Sequence, residues 1–291
     1  MKRLIGRTLM HLLLVVVILV LIPGCGDVSG APTIPPIETF LIPFDNITGN
    51  ATSSSVSLTE SQMQTTPLSC PFSEQVLVPL AGNQSNWSYA ALTVGFWGTV
   101  VVVGLAVPVA AFRESFHHTP VQQPDGSWIW SYSVNIGVFV YSAELHGQFI
   151  TEGVHWDMRI SKEGEYDDFL WYYGEHNLPA TAGFWILKQS PTVPNDLIQI
   201  DWSRNISAGT YNITYTNIVP DGPENGGYID FQYTKEVPYD YICDIYNKGA
   251  DNHTYIDWGS TTGEGRVKDF NHFGDNDWHC WDSDRMNVAC P

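Results

Sequence analysis

Positive charge is what this sequence has least of: 13 Lys and Arg stand against 31 Asp and Glu, a formal net charge of −18. Beyond Arg7 the bases form no cluster. A phosphate backbone would be repelled by such a chain, which argues against nucleic acid as a partner. Catalytic signatures are missing too. There is no G-x-S-x-G, no H-E-x-x-H, no G-x-G-x-x-G and no P-loop, so none of the nucleophile elbows, zinc helices or phosphate cradles built on those spacings is expected. Gly259-Ser-Thr-Thr-Gly263 reads only as a turn between strands. Cysteine is scarce, five in 291 residues, and long uncharged runs occur only twice.

The first of those runs has the layout of an export signal. Lys2, Arg3 and Arg7 precede an apolar stretch from Leu12 to Ile22 that ends at Pro23-Gly24-Cys25. The stretch falls short of the roughly 20 apolar residues a spanning helix needs, so residues 1–24 read as a removable signal peptide. Cys25 directly after the small residue resembles a lipoprotein site. A diacylglyceryl group there would give the two acyl chains that lasting attachment requires. The expected location is the outer face of the cytoplasmic membrane or the cell surface, with the membrane as a partner through the lipid.

Four cysteines remain beyond Cys25, and an even number in an exported chain points to two disulfides. The short intervening loop favours Cys280–Cys290, which leaves Cys70–Cys243. Seven N-x-S/T sequons, at Asn46, Asn50, Asn83, Asn86, Asn205, Asn212 and Asn252, point to glycosylation on an extracytoplasmic surface.

Residues 25–69 are rich in Pro, Ser and Thr and show no sustained period, so they read as a stalk; an irregular strap folded onto the domain is the alternative. At full extension that stalk would reach about 140 Å. Residues 70–291 read as a single domain. It opens with the second uncharged run, Tyr89 to Phe112, 24 residues without a charge. Three readings of it stand: a buried helix, a membrane span and strands. The buried helix is preferred, because a crossing would place the later cysteines and sequons on the cytoplasmic side. Pro108 should end or kink it near Val107.

From Ser127 onward, short alternating runs separated by Gly, Asn, Asp and Pro turns predict ten or so antiparallel strands. Trp128, Trp130, Tyr132 and Val134 share one face of the first. A long meander avoids exposed edges by closing on itself, so the expected fold is all-β with one buried N-terminal helix: an antiparallel up-and-down barrel, calycin-like, with a β-sandwich as the alternative.

Trp128-Ile-Trp130, Trp156-Asp-Met158, Phe169-Leu-Trp171-Tyr-Tyr-Gly174, Ile200-Asp-Trp202 and Asp277-Trp-His-Cys280-Trp281-Asp282 together resemble an uncharacterised family of prokaryotic envelope lipoproteins. The resemblance covers most of residues 89–290. It implies export and a β domain, and it carries over neither an activity nor a site residue.

Trp128, Trp130, Trp156, Trp171, Trp185 and Trp202 recur through the strands. Such rings can line a cavity for a small apolar or glycan ligand, or simply fill the core. Asp275, Asp277, Asp282 and Asp284 are the densest oxygen donors and could hold Ca2+, against the alternative of a solvated acidic loop; no other cofactor is expected. His117-His118 lacks the further ligands zinc requires. Glu144, Asp157 and Asp201 lie in strands, and a facing pair of carboxylates could serve a hydrolase at a barrel mouth. The leading expectation is a lipid-anchored, non-enzymatic lipoprotein whose barrel binds a small ligand or acts as an envelope structural module. The carboxylate hydrolase is the alternative.

Overall fold

The structure is a computed structural model, and it describes residues 30–41, 47 and 83–291. The signal peptide, Cys25, Asn46, Asn50 and Cys70 lie outside the described residues. The chain divides into two units, Met1–Ala31 and Pro32–Pro291, and the fold below is that of the second.

Fourteen strands follow one another in a single sheet whose spatial order is the sequence order. They are β1 (Val121–Gln122), β2 (Trp128–Ile136), β3 (Phe139–Ile150), β4 (Gly153–Lys162), β5 (Tyr166–Asn177), β6 (Ala182–Lys188), β7 (Asp196–Asn205), β8 (Thr210–Asn217), β9 (Tyr228–Tyr233), β10 (Tyr241–Asn247), β11 (Asn252–Trp258), β12 (Gly265–Asp269), β13 (His279–Trp281) and β14 (Asn287–Val288). Every neighbouring pair is antiparallel, as short turns require. The β2–β3 hairpin turns on Gly137-Val138, with Gly137 at φ 61°; tight hairpins need a positive φ there, which glycine adopts without strain. Among the described residues no ladder joins β1 to β14, so the sheet is mostly antiparallel β as expected, yet it is not closed.

Period-two alternation sets which face is buried. In β4, Val154, Trp156, Met158 and Ile160 are buried, while His155, Asp157 and Arg159 between them are half-exposed. The buried face also carries Tyr172, Trp185, Ile200, Trp202, Phe231, Ile256, Trp258 and Val267.

Four of its tryptophans share a device. Trp156 stands opposite Gly147, Trp185 opposite Gly174, Trp202 opposite Gly183 and Trp281 opposite Gly265. Each ring lies over its glycine: a Cβ added at Gly147 would sit 2.7 Å from Trp156 Cζ3, and one at Gly183 2.7 Å from Trp202 Cζ2. Large rings can therefore lie flat on the sheet because their cross-strand partners have no side chain.

Two helices cover this face. The uncharged run forms α1 (Ser85–Gly104) and α2 (Ala106–Ser115) in place of the single expected helix over 89–112. The break falls at Leu105 (φ −115°, ψ 22°) and not near Val107. Pro108 sits in the first turn of α2, where its missing N–H costs nothing because those donors have no helical partner. No helix among the described residues is long and apolar enough to cross a membrane. α1 packs on β12, β13 and β14, and α2 packs on β2, so the helix pair bridges elements near the two ends of the meander.

One buried carboxylate ties α1 down. Asp269, at the end of β12, accepts hydrogen bonds from Tyr89 Oη (2.7 Å), Thr254 Oγ1, Asn252 Nδ2 (2.9 Å) and the His272 amide (3.1 Å). The last of these caps α3 (Phe270–Phe273). Burial pushes the Asp269 carboxyl up, but the hydrogen bonds from Thr254, Tyr89, Asn252 and His272 outweigh it and hold the group below its ordinary value. A depressed folded pKa means its stabilisation is present above the unfolded value of roughly 4 and is lost as pH falls through the lower folded value. Asp269→Asn is expected to cost about 1–3 kcal/mol at pH 7, because buried donors lose their acceptor. Urea unfolding of both proteins at pH 7 and at low pH checks this: the gap should shrink in acid, and a gap constant with pH would refute the latch.

At the chain end, Cys280 and Cys290 form the expected disulfide, Cα–Cα 5.2 Å. Cys243 is a buried thiol on β10, raised well above its ordinary value by burial, and its expected partner Cys70 lies outside the described residues.

Part of the segment read as a stalk lies on the sheet. Pro32, Pro35, Thr39 and Phe40 are buried, and Ile37–Thr39 form a 3-10 turn against β7. Phe40 is 0% exposed. Its ring stacks on Phe112 of α2 at 4.8 Å and meets Tyr172 at 5.1 Å and Trp185 at 6.0 Å. Its carbonyl accepts from Tyr215 Oη at 2.8 Å. Residues 32–41 thus lie as a strap against the sheet.

Candidate functional site

A pocket of about 320 Å³ opens where this strap meets the β7–β8 hairpin. Pro36, Glu38 and Thr39 form one wall; Trp202, Arg204 and Tyr211 supply much of the other. Asn205, Ile206 and Gly209 of the hairpin tip complete the rim, with Ile206 exposed. Gly209 N donates to Asn205 O at 2.7 Å, and the positive φ of Gly209 (65°) lets the chain turn back into β8.

Trp202 shares a buried, unpartnered indole N–H with Trp156, Trp171 and Trp258, and of the four only Trp202 lines this pocket. It is only 4% exposed, yet its indole Nε1 has no hydrogen-bond partner among the described residues. A buried N–H without an acceptor is costly and marks a place where some other group is expected to accept. By contrast, Trp185 Nε1 donates to Thr39 Oγ1 at 3.4 Å.

Behind Trp202 a row of rings crosses the buried face. Trp130 lies 5.5 Å from Trp156, Trp156 6.0 Å from His176, and His176 6.3 Å from Trp202. His176 is 6% exposed, and its Nδ1 lies 2.7 Å from Asn177 O. That carbonyl makes Nδ1 the protonated nitrogen and leaves Nε2 a bare lone pair, likewise without a partner. Burial, with the Arg204 charge adding to it, lowers the His176 pKa despite the Asn177 carbonyl, so the ring is neutral at pH 7. Arg204 Nε donates to Ala180 O at 2.6 Å, which fixes its guanidinium at the pocket wall. What the lining offers is hydrogen bonding, from a guanidinium, hydroxyls and the Glu38 carboxylate, beside the apolar surface of Pro36 and Ile206. Set against family models, curated proteins and solved structures, the chain matches none.

Of the six tryptophans singled out in the sequence, Trp202 lines the pocket. Trp130, Trp156 and Trp185 are buried behind the helices and strap. Trp171 is the extra residue of a bulge between β4 and β5, packed with Tyr166 and Phe169, and Trp128 is half-exposed at the start of β2.

The acidic tail is organised by its own turns. Asp275 accepts from the Asp277 amide (3.0 Å) and from His279 Nε2 (3.0 Å), while Asp282 accepts from the amides of Asp284 and Met286, both at 3.0 Å. Among the described residues no group of three or more His, Cys, Asp or Glu converges as a metal would need. His117 and His118 both reach Glu114, at 3.8 and 3.0 Å.

Glu144, Asp157 and Asp201 stand on the outer face, each engaged with a neighbour on that face. Glu144 takes Ser131 Oγ and His146, Asp157 meets His155, and Asp201 accepts from Gln199 Nε2. Glu144 and Asp157 are diagonal neighbours on β3 and β4, and Asp201 is three strands away on β7.

The pocket residues missed in the sequence are Pro36, Glu38, Thr39, Arg204 and Tyr211. The signal for the first three was Phe40 with its apolar neighbours Ile37 and Leu41 within a proline-rich stretch; the rest carry none without the strand register.

Proposed function

We propose that this protein is an envelope lipoprotein, anchored at the outer face of the membrane through a lipid on Cys25, whose β body binds a glycan-sized ligand and performs no catalysis. The observation that carries the binding reading is a pocket of this size lined by Glu38, Thr39, Arg204 and Tyr211 beside Trp202, whose buried indole N–H has no partner among the described residues. A sugar presents an array of hydroxyls and an apolar face. The hydroxyls match Trp202 Nε1–H, Glu38, Thr39, Arg204 and Tyr211, and the apolar face matches Pro36 and Ile206. In this reading the meander curls calycin-fashion into a barrel-like wall, with helices and strap filling its interior. Resemblance to envelope lipoproteins and the signal ending at Cys25 support the anchor.

Native mass spectrometry of the purified protein tests the binding: a retained sugar or sugar-bearing lipid is expected. Tyr211→Phe and Glu38→Gln, which leave the buried core intact, should each weaken that binding by about 1 kcal/mol, the net worth of one hydrogen bond. No retained ligand, together with no affinity for a panel of saccharides, sinks the binding reading. Cys25→Ser tests the anchor separately, since it should release the protein from the membrane fraction and abolish incorporation of labelled lipid.

A further inference from the structure

The sequons divide by what their amide nitrogens do. N-glycosylation requires a free Asn Nδ2. In the fold, Asn86 is 8% exposed and its Nδ2 donates to Cys280 O at 2.9 Å, Asn212 Nδ2 donates to Asp230 at 2.8 Å, and Asn252 Nδ2 donates to Asp269 at 2.9 Å. A sugar on Asn86 would sit inside the contact between α1 and β13. Sugars on Asn212 or Asn252 would break bonds that order β8–β9 and the Asp269 latch.

Asn83 and Asn205 differ from these three in being exposed, and of the two only Asn205 lines the pocket. It is exposed at the end of β7, and its side chain is held through Oδ1 alone, which accepts from Ser207 Oγ at 2.8 Å and from the Ala208 amide at 3.0 Å. Among the described residues Nδ2 makes no hydrogen bond. Ser207 is also the hydroxyl residue of the Asn205 sequon. Above all, Asn205 is itself part of the pocket rim, with Trp202 and Tyr211.

We propose that Asn205 carries an N-linked glycan whose first sugar lies over the pocket, so that the chain's own sugar competes with a free one for Trp202, while Asn86, Asn212 and Asn252 stay unmodified. The competition rests on the pocket reading above; the modification does not. In the transfer, Asn205 Nδ2 forms a bond to the anomeric carbon of a sugar carried on a polyisoprenyl phosphate or pyrophosphate. The bond from that carbon to the phosphate oxygen breaks, the phosphorylated lipid leaves with the electron pair, and one Nδ2 proton passes to a base of the transferase. A sugar so attached stays within one ring's width of the rim, at a high effective concentration.

The test uses the full chain purified from cells that possess N-glycosylation machinery. Glycopeptide mapping should find sugar on Asn205, lost in Asn205→Gln and Ser207→Ala, retained in Ser207→Thr, and absent from Asn86, Asn212 and Asn252. Titration with N-acetylglucosamine should show the modified protein binding more weakly than Ser207→Ala, whose residue does not line the pocket, by about tenfold or more, as expected when a tethered occupant must be displaced. An unmodified Asn205, or sugar on Asn86, overturns the site assignment. Equal affinity of the two proteins overturns the competition. No binding by either overturns the competition and the ligand reading together, while leaving the mapping result to stand on its own.

Discussion

Phe40→Ala is expected to destabilise the Pro32–Pro291 unit by about 3–5 kcal/mol, the usual cost of deleting a fully buried phenylalanine ring. Phe40 is one of a short strap separated from the sheet by more than forty residues, yet its ring meets Phe112, Tyr172 and Trp185. Removing it opens a cavity at the junction of α2 with β5 and β6. The strap's other holds are the buried Pro32, Pro35 and Thr39 and the hydrogen bonds from Tyr215 to the Phe40 carbonyl and from Trp185 to Thr39, so a strap without its ring should loosen. Urea titration should show a lower midpoint with an unchanged slope. Val138→Ala, at a position 89% exposed, is the control and should fall within about 0.5 kcal/mol of the parent. If Phe40→Ala behaved like that control, the strap would be an ornament and the pocket wall it forms would not be fixed.

Gly174→Ala is the second large effect. In most strands alanine is better tolerated than glycine, because glycine loses more backbone entropy on folding. Here the order should invert. The added methyl would meet the carbonyl oxygen of Phe184 on the next strand and the ring of Trp185. The carbonyl belongs to the ladder and cannot retreat without breaking it, and the ring is pinned between Phe40 and Tyr172. Overpacking of this kind costs about 1–3 kcal/mol, and the backbone contact places Gly174→Ala at the upper end. Thermal and urea unfolding should agree on the loss; a neutral or stabilising result would contradict the account of why tryptophans lie flat on this sheet.

The two predictions mark where the sequence is legible and where it is not. Alternation in Val154, Trp156, Met158 and Ile160 announces a strand and its buried face, because the pleat alone fixes which side chains share a side. Which residue stands opposite Trp156 depends on register, and register is decided by turns and by the whole buried face at once. The glycines at 147, 174, 183 and 265 carry no such message until the register places a tryptophan over each. Length and lack of charge made Tyr89–Phe112 helical. Its break at Leu105 depends on how α2 docks on β2 through Tyr132 Oη donating to Ala111 O at 2.6 Å, a contact invisible in one dimension. Closure of the sheet was inferred from the need to protect edges. Helices packed near both ends of the meander meet part of that need without a ladder between β1 and β14.

The candidate site was the least legible part. Thr39 comes from a segment far in the chain from the β7–β8 hairpin that carries Trp202 and Tyr211, and of the three only Trp202 drew attention beforehand. The acidic tail drew attention for its oxygen density, but Asp275 and Asp282 use those oxygens to close their own turns.

The most direct test of the account is the indole N–H spectrum of protein labelled with 15N at tryptophan, with the Trp202 resonance assigned by Trp202→Phe. Titration with N-acetylglucosamine into protein lacking sugar on Asn205 should move the Trp202 indole proton downfield as it gains an acceptor, and leave Trp185, already bonded to Thr39, in place. A Trp202 resonance unmoved by every saccharide tried, or one already shifted as a hydrogen-bonded indole in the free protein, would contradict the claim that this N–H is the pocket's vacant donor.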